Sequence, residues 1–253
     1  MRVLRAISLP KEADYASSNE DFFLADPGGC IASMSDGASE SFDSRSWARC
    51  LCQAFNERFL DIGDAIPSDD DIHEMVNTAR DRFLELFSSR DLSWSQQVAF
   101  DRGNFASLIG VIESSHQITM VGIGDSIAVW QEPSGRLQSH PIPIDQPDSF
   151  KRHPVLLSSD ARGDEDVFHR QRRRWSVIQV NKADLLGARL YLMTDALGHQ
   201  VVSTAHAGQW DLAEKNLCQS ETDFRYWVTQ QRLSHQMRVD DTTLAVLSFK
   251  ESR

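Results

Sequence analysis

The sequence has few cysteines and no long apolar run. Its 253 residues include 4 cysteines without a CxxC pair, so we expect reduced, mostly buried thiols rather than disulfides or a zinc site. No stretch approaches the roughly 18 apolar residues of a transmembrane helix. The N-terminal segment contains arginines but lacks the apolar centre of a signal peptide. These absences predict a cytoplasmic protein that does not associate with membranes.

Positive charge is also scarce. Acidic residues outnumber basic ones by 37 to 26, which gives a formal net charge of −11. A chain of this charge is not expected to bind nucleic acid or anionic membranes in general. Its 41% apolar content is ordinary for a protein with a buried core, and we expect residues 1–253 to form a single domain.

Several familiar catalytic and nucleotide-binding motifs are missing. The chain has no G-x-S-x-G, no G-x-x-x-x-G-K-S/T, and no cysteine in a phosphate-cradling loop of glycines and arginine. The segment "VGIGDS" lacks the third glycine of a dinucleotide fingerprint. Nothing in these patterns supports nucleotide binding or a protein nucleophile.

What the sequence does contain is strand-like segments at both ends and helix-like segments between them. "VLRAISL", "DFFLAD" and "CIASMSD" read as strands, the last two as a hairpin-like pair, and "TTLAVLSF" reads as the final strand. Apolar residues with a 3.6-residue period predict helices from Ser44 and from Asp71, and two more near the C-terminus. The stretch from Pro133 to Asp166 is interpreted as long loops. This order favours two packed antiparallel sheets covered by helices, an α+β arrangement.

Acidic residues recur where the predicted strands begin or end. Each has an ordinary explanation alone, because aspartate is common in turns and at helix N-caps. If the strands are neighbours, however, their ends should converge. The residues are Glu20, Asp21, Asp36, Asp195, Asp240 and Asp241.

Crowded carboxylates repel one another and resist ionisation unless cations neutralise them. Oxygen-only ligands suit Mg²⁺ or Mn²⁺, whereas zinc would usually require histidine or cysteine at motif spacing. Two such ions about 3.5–4 Å apart can activate a water molecule for phosphoryl hydrolysis. The acids therefore point to a metal-dependent hydrolase.

Six stretches carry a family resemblance: "NEDFF", "SDGAS", "ASLIGVI", "VGIGDSIAVW", "LYLMTDALG" and "DDTTLAVL". They span most of the chain, and in that order they resemble the bacterial form of the metal-dependent PPM-type (protein phosphatase 2C-like) phosphatases. The resemblance implies a four-layer α-β-β-α sandwich, with two antiparallel sheets flanked by helix pairs. It also implies two Mn²⁺ or Mg²⁺ ions at one edge of the sandwich.

The resemblance assigns roles to individual residues. It implies that Asp36 bridges the two metals, that the Gly37 carbonyl binds one of them, and that Asp195 and Asp240 complete the other. The catalytic residues would thus be Asp36, Asp195 and Asp240. Further expected participants are Glu20 and Asp21, which would hold metal-bound waters or one metal directly, and Asp125, which would help to hold a third, weaker metal.

The activity implied is hydrolysis of phosphoserine and phosphothreonine by a metal-bridging water, without a phosphoenzyme. The partners would be phosphorylated proteins, in a signalling role, and we expect a monomer. Two alternatives stay open: a weakly active or inactive regulatory module that binds phosphoproteins, and a metal hydrolase of small phosphoesters.

Two residues depart from the family pattern. Ala16 stands where many members have an arginine that meets the substrate phosphate, and Ala38 stands where eukaryotic members often have a histidine proposed as general acid. Either another base binds phosphate in this chain or its affinity for phosphate is weak. The candidates from sequence are Lys11, Arg45, Arg102 and Arg162.

Overall fold

A computed structural model of the chain describes residues 1–12, 15–39, 41–161 and 175–250. The strands are β1 (Arg2–Leu9), β2 (Phe22–Ala25), β3 (Ile31–Ser35), β4 (Phe105–Ala106), β5 (Leu108–Glu113), β6 (Gln117–Ile123), β7 (Ile127–Gln131), β8 (Leu137–His140), β9 (Leu157–Ser158), β10 (Trp175–Asn181), β11 (Arg189–Met193) and β12 (Thr242–Ser248). The helices are α1 (Ser44–Phe59), α2 (Asp69–Phe87), α3 (Trp94–Asp101), α4 (Asp195–His206), α5 (Trp210–Leu217) and α6 (Glu221–Leu233).

The strands form two five-stranded antiparallel sheets and a small pair. One sheet has the order β1-β12-β11-β7-β8, the other has the order β10-β6-β5-β3-β2, and β4 pairs with β9. Helices α1 and α2 pack on the sheet that contains β5, and α4, α5 and α6 pack on the sheet that contains β12. The predicted α+β sandwich of two antiparallel sheets flanked by helices is confirmed, with three helices rather than a pair on one side.

Successive side chains of each strand point alternately towards the helices and towards the other sheet, and this alternation builds the layers. In β12, Leu244 and Val246 pack under α4 to α6, whereas Ala245 and Leu247 face the core between the sheets. Successive side chains of a strand point to opposite faces, so a strand that is apolar throughout can be buried on both. Such strands place their polar residues at the ends.

Helix α1 lies very close to the sheet beneath it. A β-carbon added to Gly110 of β5 would lie 2.1 Å from Cζ of Phe55, whose side chain is fully buried. The absence of a side chain at Gly110 therefore lets the ring reach the sheet backbone. The helices predicted from Ser44 and Asp71 are confirmed as α1 and α2, and the latter begins with a capping box between Ser68 and Asp71.

The structure differs from the sequence prediction in several places. The stretch from Pro133 to Asp166, predicted as loops, contains β8 and β9 in its described part. Helices α3 and α4 were not predicted. All four cysteines are free, but Cys30 and Cys218 are exposed rather than buried.

Among the residues that the structure describes, no helix combines the length and the apolar character needed to cross a membrane.

Candidate metal centre

Four of the acidic residues line one cavity of about 600 Å³. Asp36 follows β3, Asp125 lies between β6 and β7, Asp195 is the first residue of α4, and Asp240 precedes β12. The carboxylates come from both sheets, so the cavity lies where the ends of the two sheets meet. Gly37 lines the same cavity.

The loop that carries Asp36 is fixed by its backbone. The Asp36 carbonyl accepts a hydrogen bond of 2.9 Å from the Ser107 amide, and Gly37 forms a bridge with Ala106. A β-carbon at Gly37 would lie 2.8 Å from Cβ and from the carbonyl oxygen of Ser44. Because distances under about 3 Å are repulsive between such atoms, only glycine lets this loop lie against the start of α1.

Asp21 is buried next to the strand ends that carry Asp195 and Asp240. Its Oδ2 accepts hydrogen bonds from Oγ1 of Thr243, at 2.7 Å, and from Oγ1 of Thr194, at 3.1 Å. Its Oδ1 is buried and has no partner among the described residues. Asp21 is not among the residues that line the cavity.

Desolvation and mutual repulsion make these carboxyls reluctant to ionise. Burial raises the pKa of Asp21 to about 8 and that of Asp125 to about 7, and neighbouring carboxylates add to both shifts. Burial also raises the pKa of Asp36 well above its usual range, with contributions from Asp21, Asp195 and Asp125. The pKa of Asp195 is raised as well, mainly by burial and against the effect of Arg238.

Arg238, which no sequence motif marked, supplies positive charge at this site. Its Nη2 lies 2.9 Å from Oδ2 of Asp240 and also donates to Oδ2 of Asp195. Oδ1 of Asp195 is buried and has no partner in the described part of the chain. The only signal in the sequence was the position of Arg238, two residues before Asp240.

Glu20 occupies a different environment from the other predicted ligands. Its carboxylate accepts hydrogen bonds of 2.6 Å from Nζ of Lys11, from Oγ of Ser39 and from Oγ of Ser44. It does not line the cavity. Asp241 is likewise engaged, because its two oxygens accept from the backbone amides of Lys11 and Glu20. These two acids tie the N-terminal segment to the edge of the sheet.

The remaining basic candidates from sequence lie elsewhere. Lys11 is held by Glu20, Arg45 donates to the Ser17 carbonyl at 2.8 Å, and neither Arg45 nor Arg102 lines the cavity. Arg162 lies outside the described residues. The basic and histidine side chains that do line the cavity are Lys151, Arg152, His153, His199, His235 and Arg238.

In their present side-chain positions, the described residues contain no group of three or more His, Cys, Asp or Glu arranged to hold a metal ion. The donor set nevertheless fits divalent cations. It consists of carboxylates, which Mg²⁺ and Mn²⁺ prefer, and two buried oxygens, Oδ1 of Asp21 and Oδ1 of Asp195, lack a partner among the described residues. Burial and neighbouring carboxylates raise the pKa values of Asp21, Asp36, Asp125 and Asp195, and both effects are ones that a bound divalent cation would offset.

Comparison with known proteins finds similarity in structure only. No protein-family model and no curated protein matches the sequence. The catalytic domain of the serine/threonine phosphatase PstP, solved in complex with two manganese ions, matches with a TM-score of 0.58 and 15% identity over 96% of this chain and 97% of that chain. The phosphatase Stp1 from Staphylococcus aureus matches with a TM-score of 0.59 and 12% identity over 99% and 96%.

A second structure of PstP, from Mycobacterium tuberculosis, has a TM-score of 0.58 and 14% identity over 98% of this chain and 100% of that chain. Another similar structure, MsPP from Mycobacterium smegmatis, is described as a PPM Ser-Thr phosphatase. The similarity covers nearly the whole chain in each case, and the identities are low. The chain therefore has the fold of the bacterial PPM-type serine/threonine phosphatases.

Proposed function

We propose that this protein is a metal-dependent phosphoprotein phosphatase that hydrolyses phosphoserine and phosphothreonine. The observation that carries the proposal is the set of four aspartates that line one cavity, in a fold shared with bacterial serine/threonine phosphatases. Four carboxylates crowded into one cavity repel one another, and cation binding is the simplest function that relieves this repulsion.

The residues that would hold two Mn²⁺ or Mg²⁺ ions are Asp36, the Gly37 carbonyl, Asp195 and Asp240. Asp125 would contribute to a third, weaker site. When bound, such ions supply Lewis acidity and a water molecule of lowered pKa. PstP was solved with two manganese ions, which supports this choice of metal.

The other residues of the site would orient this machinery. Thr194 and Thr243 donate to one oxygen of Asp21, and the other oxygen has no partner among the described residues, so that Asp21 could accept hydrogen bonds from metal-bound waters. Glu20 is proposed to act indirectly, because its oxygens already bind Lys11 and two serines. No cysteine or serine is assigned as a nucleophile, because water would attack phosphorus directly.

Hydrolysis assays test the proposal. The protein should cleave an aryl phosphate and a phosphothreonine peptide with Mn²⁺ or Mg²⁺, lose activity with a chelator, and lose it in Asp36→Asn and Asp195→Asn. The exposed variant Asp61→Asn is the matched control and should retain activity. Folded wild-type protein that hydrolyses neither substrate with either metal would contradict the proposal.

A second candidate function is a regulatory module that keeps the fold and binds phosphoproteins with little or no turnover. The ion pairs of Arg238 favour it, because they neutralise Asp195 and Asp240 without any metal. Ala16 and Ala38 also favour it, because they stand where many PPM-type phosphatases have side chains that assist catalysis. Binding of a phosphothreonine peptide without hydrolysis would identify the module, and turnover of the aryl phosphate alone would identify a small-molecule hydrolase.

The wider setting is also part of the proposal. We expect residues 1–253 to act as a single monomeric domain in the cytoplasm, where phosphorylated proteins in signalling would be the substrates. Gel filtration of the purified chain tests whether it is monomeric.

A further inference from the structure

We infer that Arg238 is a tethered counter-ion of the site: it competes with divalent cations for Asp195 and Asp240, and it binds the substrate phosphate once a cation has taken those carboxylates. The second part rests on the proposed function. The first part concerns binding alone and does not depend on catalysis.

The competition follows from the contacts. Arg238 Nη2 reaches Oδ2 of Asp195 and Oδ2 of Asp240, two carboxylates from different elements of the fold. Both carboxylates belong to the set that would hold a divalent cation, so Arg238 already neutralises part of the charge that attracts the cation. A guanidinium stays charged at all ordinary pH values, and it repels a divalent cation that approaches the same carboxylates. Binding of a cation to Asp195 and Asp240 therefore weakens their ion pairs with Arg238, and the ion pairs weaken cation binding in return.

The arginine can leave without disturbing the core. Its side chain is 56% exposed, whereas that of Asp195 is 12% exposed. It belongs to the segment between α6 and β12, which also brings His235 and Gln236 to the cavity. Displacement by a cation would leave the guanidinium in the same cavity with its donors free.

A free guanidinium at this place suits a phosphate group. Arginine binds phosphate through two parallel N–H donors. Once a cation has displaced Arg238 from Asp195 and Asp240, these donors would be free to bind a phosphate group in the cavity. Arg232 of α6 also lies near Asp240, but it is half-buried and donates to the carbonyls of Pro10 and Asp240, so it is not available. Arg238 would thus take the place of the arginine that is missing at Ala16.

Calorimetric titration with MnCl₂ in the absence of any substrate tests the competition. Arg238→Gln should bind Mn²⁺ about fivefold more tightly than wild type, a difference of about 1 kcal/mol, because the ion pair no longer has to be broken. Arg238→Lys should remain near wild type because it keeps the charge. Arg152→Gln is the matched control, since Arg152 lines the cavity without pairing with Asp195 or Asp240. Unchanged or weaker Mn²⁺ binding in Arg238→Gln would overturn the competition.

Binding of inorganic phosphate to the Mn²⁺-saturated protein tests the second part. The dissociation constant should rise at least about fivefold in Arg238→Gln and rise less in Arg238→Lys and in Arg152→Gln. Equal losses in Arg238→Gln and Arg152→Gln, or no loss in either, would overturn the phosphate role. Neither measurement uses turnover, so a failed hydrolysis assay with intact titrations would count against the proposed function and would leave standing the competition with Mn²⁺ and the binding of inorganic phosphate.

Discussion

Thr243 Oγ1 donates a hydrogen bond of 2.7 Å to Oδ2 of Asp21, while Oδ1 of the same buried carboxylate has no partner in the described structure. A half-satisfied carboxylate is expensive inside a protein, because desolvation penalises its charge. The threonines fix the orientation of Asp21, and a proton or a nearby cation must offset its charge. Asp21 is therefore the residue whose environment depends most clearly on what occupies the site.

Replacing Asp21 should change how the protein responds to metal. Asp21→Asn keeps an oxygen that can accept hydrogen bonds from Thr194 and Thr243, but it removes one negative charge from beside Asp36 and Asp195. In chelator, the variant should melt at the same temperature as wild type or higher. Added Mn²⁺ should raise its melting temperature by about half the wild-type increase or less, because ligand-induced stabilisation follows affinity.

Differential scanning fluorimetry with EDTA and with excess MnCl₂ measures both effects. Asp61→Asn, which changes an exposed carboxylate outside the site, should behave like wild type in both buffers. A full Mn²⁺-induced increase in Asp21→Asn would mean that Asp21 has no part in the metal centre.

Glu20 should contribute to stability rather than to direct metal binding. Glu20→Gln leaves Lys11 without its carboxylate and weakens three hydrogen bonds, so we expect a loss of about 1–2 kcal/mol in the free energy of unfolding. The affinity for Mn²⁺ should stay within about twofold of wild type. Urea denaturation and calorimetry check the two expectations. A large loss of Mn²⁺ affinity would identify Glu20 as a direct ligand.

His140 should make the protein less stable in mild acid. Burial lowers the pKa of this histidine to about 4, although the Ser176 carbonyl lies 3.2 Å from its Nε2. A folded-state pKa below the unfolded value of about 6.5 means that, as pH falls below 6.5, the unfolded chain takes up a proton that the folded protein does not. Stability is therefore lost as pH falls from about 6.5 towards 4.

Comparison of variants isolates this effect from other titrations. Between pH 7.5 and pH 5, wild type should lose about 2 kcal/mol of unfolding free energy more than His140→Gln does. His116→Gln, at an exposed histidine, serves as the control and should follow wild type. Urea denaturation at the two pH values gives the comparison, and parallel losses in wild type and His140→Gln would contradict the burial effect.

The sequence predicted elements best where one side of a helix or strand is apolar. Helix α1 was predictable because Trp47, Leu51 and Phe55 recur on one face, which packs on a sheet. Helix α3 was not, because none of its residues is buried and no apolar face marks it. Helix α4 was missed for a different reason. It begins at Asp195, directly after a strand, and Gly198 and the adjacent Val201 and Val202 give its first turns a weak helix propensity.

The candidate site was predictable only in part. Acids at strand ends could be read from the chain, and the structure brings Asp36, Asp125, Asp195 and Asp240 to one cavity, although their metal-binding role stays a prediction. Arg238 was not predictable, because an arginine before an acidic pair is ordinary in sequence. Its importance comes from tertiary contacts with an acid on another element.

The stoichiometry of Mn²⁺ binding to the purified, metal-stripped chain tests the central claim most directly. Calorimetry should give two ions per wild-type chain, and Asp36→Asn and Asp195→Asn should each lose at least one of them while keeping a wild-type circular dichroism spectrum. Absence of Mn²⁺ and Mg²⁺ binding in folded wild-type protein, or full binding in both variants, would contradict the claim that these aspartates form a metal centre.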